Sequence, residues 1–351
     1  MTPLAQVLLR RIQQEGPIPV AAYMAECLLH PSYGYYITKQ PFGGAGDFIT
    51  APEITQMYGE LLGLALAQSW IDQGAPSPFT LAEFGPGRGT LMADILRATR
   101  GVPGFHAAMT LVLLEASPNL RAVQKAALGP VAAQWIDHPE DLPDAPLFLV
   151  ANEFFDALPI HQFVRGQTGW HERLIGQNDG ALCFGLSAAL PFDAFDPRFA
   201  GDPLGTVVEL CPAADAPLQA AARRIKAHGG LTLIADYGGW RSKGDTLQAV
   251  AAHKFTDPLA APGEADLTAH VDFEALVRTA GLPYAYAPQG TVLRTLGLDQ
   301  RTEALAKRLS GPALTAHLAA ARRLTDPGEM GEVFKILALY PQTTPQPPGF
   351  A

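Results

Sequence analysis

Leu81-Ala82-Glu83-Phe84-Gly85-Pro86-Gly87-Arg88-Gly89-Thr90 places three glycines within five residues, directly after an apolar run and directly before a helical pattern. A loop of this kind lets the backbone approach a ligand closely, and several nucleotide-binding folds share it. The acid at Glu83, two places before Gly85, narrows the choice. Dinucleotide loops normally carry an apolar residue there, because the strand end must leave room for a pyrophosphate on the helix N-terminus and an anion would repel it. The dinucleotide spacing G-x-G-x-x-G would also need a glycine at position 90, which is Thr90. Both departures count against NAD. A carboxylate at this point suits a ligand with a cationic ammonium group and no phosphate, as at the methionine end of S-adenosylmethionine.

Outward from the loop, short apolar strands alternate with helical stretches, which argues for an α/β fold with a mostly parallel sheet and helices on both faces. The strands are expected at Thr80 to Glu83, Leu111 to Glu115, Ala133 to Ile136, Pro146 to Ala151, Leu231 to Asp236, near Tyr284, and at Val333 to Leu339. Helices are expected at 90–100, from Ser117-Pro118 onward, at 214–228 and at 273–280. Thr50-Ala51-Pro52-Glu53 reads as an N-cap, an early proline and a capping-box acid, opening one helix that runs to about Asp72. Residues 1–74 are expected to form N-terminal helices (3–14 and 20–30) and a Gly/aromatic loop covering the site. Residues 75–340 form the core, with inserted β-hairpins at about 160–210, and the proline-rich 341–351 is read as a disordered tail.

In an open α/β sheet the ligand crosses the carboxyl ends of the strands. Four acidic positions fall there: Glu83, Glu115, Asp236 and the run Asn152-Glu153-Phe154-Phe155-Asp156. Glu115 lies 32 residues after Glu83, one β-α-β unit, where a carboxylate can accept both ribose hydroxyls. Asp137 could face an adenine amino group or sit in a surface turn. The cofactor-binding set is therefore Glu83, Gly85, Pro86, Gly87, Gly89, Glu115, Asp137 and Asn152, with Tyr35 from the aromatic loop closing over the ligand.

The chain of 351 residues carries a net charge of −9, which disfavours a nucleic-acid backbone as partner. No apolar run reaches the ~18 residues of a membrane span. Three cysteines, Cys27, Cys183 and Cys211, lie far apart, so no disulfide framework or zinc site is expected, and a reducing cytoplasmic setting is the simplest home. The nine histidines show no metal-binding spacing, so no metal is expected.

His30-Pro31-Ser32-Tyr33-Gly34-Tyr35-Tyr36, Gly46-Asp47-Phe48-Ile49-Thr50-Ala51-Pro52-Glu53-Ile54, the glycine loop, Asn152-Glu153-Phe154-Phe155-Asp156-Ala157-Leu158-Pro159 and Ala235-Asp236-Tyr237-Gly238 together extend the reading. In these stretches the chain resembles the family of the mitochondrial complex I assembly arginine methyltransferase and its bacterial homologues. The glycine motif is common to all class I methyltransferases, whereas the loop before it is more specific. The resemblance implies a Rossmann-like class I fold with an N-terminal helical cap, S-adenosylmethionine as cofactor, and symmetric dimethylation of an arginine on a respiratory complex I subunit.

A guanidinium stays protonated at neutral pH and is a poor nucleophile until its charge is localised away from the reacting nitrogen. Glu153 and Asp156 are the expected carboxylate pair for that task. Phe154 and Phe155 are placed as walls of the methyl site. Asp47, and His270 in Thr268-Ala269-His270-Val271-Asp272, complete the catalytic candidates, the histidine being read against a structural role before a helix. Two alternatives belong beside this one: an amide or other amino N-methyltransferase, whose Asn-Pro-Pro turn is kept only at Asn152, and a non-catalytic assembly chaperone with the same fold. The N-terminal helices and the hairpin region could recognise a folded protein substrate or form a homodimer surface.

Overall fold

The computed structural model describes residues 1–39 and 50–350. They divide into two compact units, and the chain passes between them repeatedly. One comprises the described part of Met1–Phe48 with Asp156–Ala214 and Arg241–Val271; the other comprises the described part of Ile49–Phe155 with Asp215–Trp240 and Asp272–Ala351.

The second unit is built on strands β1 (Phe79–Phe84), β2 (Met109–Leu114), β3 (Ala133–Ile136), β4 (Leu147–Asn152), β5 (Gly230–Gly239), β6 (Tyr284–Pro288) and β7 (Phe334–Leu339). The main path of the sheet runs β6-β7-β5-β4-β1-β2-β3. Pairing is parallel from β5 to β3, while β7 runs antiparallel to both β5 and β6. Every residue of β1 and β4 is buried, because helices cover both faces, and so these strands read as continuous apolar runs without alternation. The sheet order reverses beside β1, which puts the glycine loop at the switch point where such sheets bind ligands.

Helices α1 (Gln56–Asp72), α2 (Thr90–Thr99), α3 (Pro118–Leu128), α4 (Asp215–His228) and α5 (Phe273–Ala280) flank the sheet. A Cβ on Gly63 of α1 would lie 2.9 Å from the Ile95 Cα of α2, so the small residue is what lets these two helices close. Trp70, Phe79, Phe105 and Phe148 form a continuous aromatic cluster inside, with ring centroids 4.9–5.6 Å apart.

Three expectations are corrected here. The helix expected from Thr50 to Asp72 is two helices: Ala51–Ile54 stops at Thr55, whose extended backbone and hydroxyl cap α1 through the Met57 N–H. Between β6 and β7, where no helix was expected, the chain forms α6 (Gln289–Thr295), α7 (Leu298–Ala306) and α8 (Gly311–Thr325). The tail is ordered through residue 350: Phe350 packs against the main core, Pro347 and Gly349 are buried, and Gln346 bonds the Phe350 carbonyl at 2.8 Å. One aromatic anchor outweighs the proline-rich composition.

The first unit carries an antiparallel sheet in which Trp170–Asn178 pairs with Ile18–Pro19, His161–Arg165 and Ala181–Leu190, and His161–Arg165 pairs with Val207–Leu210. A second sheet joins Gln248–Ala251 to Lys254–Thr256 and Asp266–Thr268. Helices Pro3–Glu15 and Val20–Leu29 supply its core with Leu4, Leu8, Tyr23 and Met24. The unit differs from the expected 1–74 cap: α1 belongs to the parallel-sheet unit, and 156–214 and 241–271 join the N-terminal helices. Truncation after Tyr340 should lower the melting temperature by about 2–8 °C, as loss of about 1–2 kcal/mol of apolar packing predicts for a unit of this size; thermal unfolding of the truncated chain measures it, and an unchanged midpoint would show that the tail adds no stability.

Candidate active site

Gly85, Gly87 and Gly89 carry backbone φ values of +62°, +52° and +81°, so the turn from β1 to α2 needs residues without a Cβ. At Gly85 the requirement is doubled, since a Cβ there would sit 2.8 Å from the Phe154 ring. The Gly85 N–H donates to the Leu114 carbonyl at 3.1 Å, and the Gly89 N–H to Pro86 at 2.7 Å.

Glu83, at the tip of β1, is 2% exposed, and its Oε2 has no hydrogen-bond partner among the described residues. Burial, reinforced by the charge of Glu115 and opposed by the Met92 N–H, pushes its pKa up to about 8. A buried acceptor left in this state is costly unless something else satisfies it. A cationic ammonium would. Glu115 is held more completely: one oxygen accepts the Ser117 N–H at 2.8 Å and the other the Gln124 amide at 2.9 Å. Burial raises its pKa, while these bonds and Arg121 work against the rise. Asp137 lies at the surface, 69% exposed and paired with Arg121 at 2.6 Å. The open carboxylate, the three glycines and the second acid one strand away fit S-adenosylmethionine.

The turn after β4 is tied down from several sides. Asn152 accepts from the Tyr58 hydroxyl at 2.6 Å and donates its amide to Glu153 at 3.0 Å. Glu153 has φ of +50°, uncommon for a residue with a side chain, and its N–H bonds Ala235 at 2.9 Å. The Ala51 N–H reaches the Glu153 carboxylate at 3.4 Å. Phe154 packs on Gly85 and lies 5.6 Å from the Phe84 ring. Asp236, fully buried, receives the Phe155 and Tyr237 N–H groups. The Tyr58 hydroxyl is held neutral by burial, with Glu153, Asp236 and Glu83 adding to the effect.

Sequence reasoning gave Glu53 a capping role, but its carboxylate grips the glycine loop. It accepts the Thr90 hydroxyl at 2.5 Å and faces Arg88 at 3.5 Å. Tyr58 and Gln124 escaped notice because an isolated tyrosine or amide on a helix carries no spacing signal.

Asp156, His270 and Tyr35 belong to the other unit. Asp156 is buried and its carbonyl accepts the Ala269 N–H at 2.9 Å. Tyr36 donates to Asp266 at 2.9 Å. The His270 N–H donates to the Thr246 hydroxyl at 2.8 Å, which in turn donates to Glu209. The His270 pKa is lowered by desolvation. Tyr35 is fully buried, edge-on to Tyr36 at 5.5 Å. Asp47 lies outside the described residues. Among the described residues no group of three His, Cys, Asp or Glu side chains is placed to hold a metal ion.

Comparison with known proteins adds to this geometry. Residues 61–288 match a family model described as "Putative S-adenosyl-L-methionine-dependent methyltransferase". The chain is 37% identical to the mitochondrial protein arginine methyltransferase NDUFAF7 of Bos taurus, over 97% of this chain and 84% of that protein. It is 36% identical to the Drosophila melanogaster homolog, over 96% and 85%. A crystal structure of a Burkholderia thailandensis protein bound to S-adenosyl-homocysteine superposes with a TM-score of 0.85 at 28% identity, covering 99% of this chain and 93% of that one.

The Glu83 geometry makes a two-sided prediction. In the ligand-free protein the folded carboxyl keeps a proton up to about pH 8 that the unfolded chain releases near 4.5, so its contribution to stability falls as pH rises across that window. Glu83→Gln should therefore raise the ligand-free melting temperature at alkaline pH, while weakening S-adenosylhomocysteine binding by about 10- to 100-fold through loss of a charged hydrogen bond. Thermal unfolding and calorimetric titration read the two effects, and a variant unchanged in both would refute the role.

Proposed function

The chain belongs to the family of S-adenosyl-L-methionine-dependent methyltransferases, and from that premise we propose that it is a protein arginine N-methyltransferase with a class I core. The class I reading is supported by the strand order, in which a final antiparallel β7 is inserted between β5 and β6. When bound, the cofactor supplies a methyl group already activated on a sulfonium, so the protein's work is to hold donor and acceptor at attack distance.

The residues divide that work. Glu83 neutralises the ammonium of the amino-acid end, Glu115 accepts the ribose hydroxyls, and Gly85 and Gly87 allow the backbone to come close. Asn152, fixed by Tyr58, lines the same carboxyl edge of the sheet, and Asp137 faces the adenine end. On the acceptor side, Glu153 and Asp156 grip the guanidinium, orient one nitrogen and stabilise the cation as the methyl arrives. His270, its pKa lowered, takes the proton that the product releases.

Glu153 carries the reading. A carboxylate residue held at a left-handed φ directly after β4 is a costly arrangement that the neighbouring bonds to Asn152, Ala51 and Ala235 enforce. The relatives named as protein arginine methyltransferases support the guanidinium acceptor. Symmetric dimethylation and a complex I subunit as substrate rest on the resemblance of the motifs alone. The relatives are named mitochondrial, which lends no support to a cytoplasmic site.

Glu153→Gln and Asp156→Asn should each lower the rate of peptide-arginine methylation by about 100- to 1000-fold, as removal of one transition-state electrostatic contact does. Cofactor affinity should change little. Mass spectrometry of candidate respiratory-complex subunits from cells with and without the protein then reads substrate and product together. A subunit arginine whose methylation is unaltered in the deletion strain would remove the assigned substrate, and unaltered rates in both variants would remove the clamp.

A further inference from the structure

Gln124, in the middle of α3, is fully buried and joins three parts of the cofactor edge. Its Nε2 donates to the Gly87 carbonyl at 2.8 Å and to the second oxygen of Glu115 at 2.9 Å, while its Oε1 accepts the Trp135 indole N–H at 2.7 Å. The orientation of the amide is thereby fixed. Turning it over would set its oxygen against two acceptors and its NH2 against the indole N–H. The glycine loop also rests on this residue, since a Cβ at Gly89 would lie 3.3 Å from the Gln124 Cα.

We propose that Gln124 is a positioning residue for cofactor binding: it locks the glycine loop to the ribose-binding carboxylate of Glu115 and keeps that carboxylate ready to accept hydroxyls, with Trp135 fixing the direction of its amide. The inference rests on the assignment of Glu115 to the ribose. The Ser117 N–H takes one site on one Glu115 oxygen and Gln124 one site on the other, and with the Ala116 N–H also donating, lone pairs remain for a ligand. The charged groups that face Glu115 are Arg121, which donates to its backbone carbonyl at 2.8 Å and favours its ionised form, and Glu83, whose own ionisation the Glu115 charge opposes. Asp137 partly offsets Arg121 through their ion pair. Burial thus pushes Glu115 toward the neutral acid, and Gln124 resists it together with the Ser117 and Ala116 N–H groups and Arg121.

The test is calorimetric titration of S-adenosylhomocysteine across a pH series, with the full-length protein and with Gln124→Leu. At neutral pH the variant should bind about 10- to 100-fold more weakly, as expected when a donor to a charged group is removed. Its loss of affinity on acidification should begin at higher pH than in the wild type, because the unassisted Glu115 takes up a proton sooner. 5′-Methylthioadenosine, which keeps the ribose but lacks the amino-acid end, should suffer the same fold-loss. A weakening with an unmoved pH profile would mark Gln124 as mere packing and overturn the proposal, as would unchanged affinity. If Gln124→Leu does not fold, Trp135→Phe carries the test: it should move the acid limb in the same direction by less, and an unmoved limb there refutes the proposal equally. Failure of the wild-type protein to bind S-adenosylhomocysteine would instead strike the cofactor reading, a result distinct from any of these.

Discussion

The site depends on keeping a carboxylate in a place where water cannot reach it. Glu83 ends a strand buried on both faces, and Oε2 has no partner among the described residues. Desolvation is the largest influence on it, and Glu115 makes matters worse. Such an arrangement lowers the stability of the empty protein as pH rises, yet creates strong attraction for a compact cation brought to the same point. Glutamine would be easier to bury. A carboxylate retained at this cost marks a group kept for its ligand rather than for the fold.

The surrounding structure limits motion of the loop that this acid serves. Three glycines in left-handed conformations give the turn its path, Glu53 holds Thr90 and Arg88 from one side, and Gln124 holds Gly87 from another. The turn after β4 is treated alike, with Asn152 set by Tyr58 and the next backbone groups set by Asp236 and Ala235. Groups placed in advance need little reorganisation when charge develops, which is the condition under which fixed dipoles and charges work best.

Much of the parallel-sheet unit was legible because its physics is local. Central strands such as Phe79–Phe84 and Leu147–Asn152 are short apolar runs ended by acids or glycines, and α3 and α5 announce themselves by their caps, Ser117 and Asp272. The misses are equally physical. Residues 289–325 contain enough glycine, threonine and proline to read as irregular, but Gly290, Gly297, Gly311 and Pro312 sit at the starts of three helices. Ala181–Leu190 lacks polar alternation because several of its apolar side chains are exposed, so the period-2 signal is absent. Assignment of 241–271 to the same unit as the N-terminal helices is a matter of long-range packing, which no window of sequence reports.

In the site the same division holds between charges and their keepers. Glu83, Glu115, Glu153 and Asp236 could be placed because strand ends are where acids are conspicuous. Glu53, Tyr58 and Gln124 could not, since each makes a bond to a residue between 37 and 94 positions away. Yet these keepers decide whether the acids are useful. The Gln124 amide bonds one oxygen of the buried Glu115 carboxylate and works against the rise that burial gives its pKa. The path of the loop is therefore written in its glycines and acids, but the bonds that hold it come from side chains whose contacts appear only once the chain is folded.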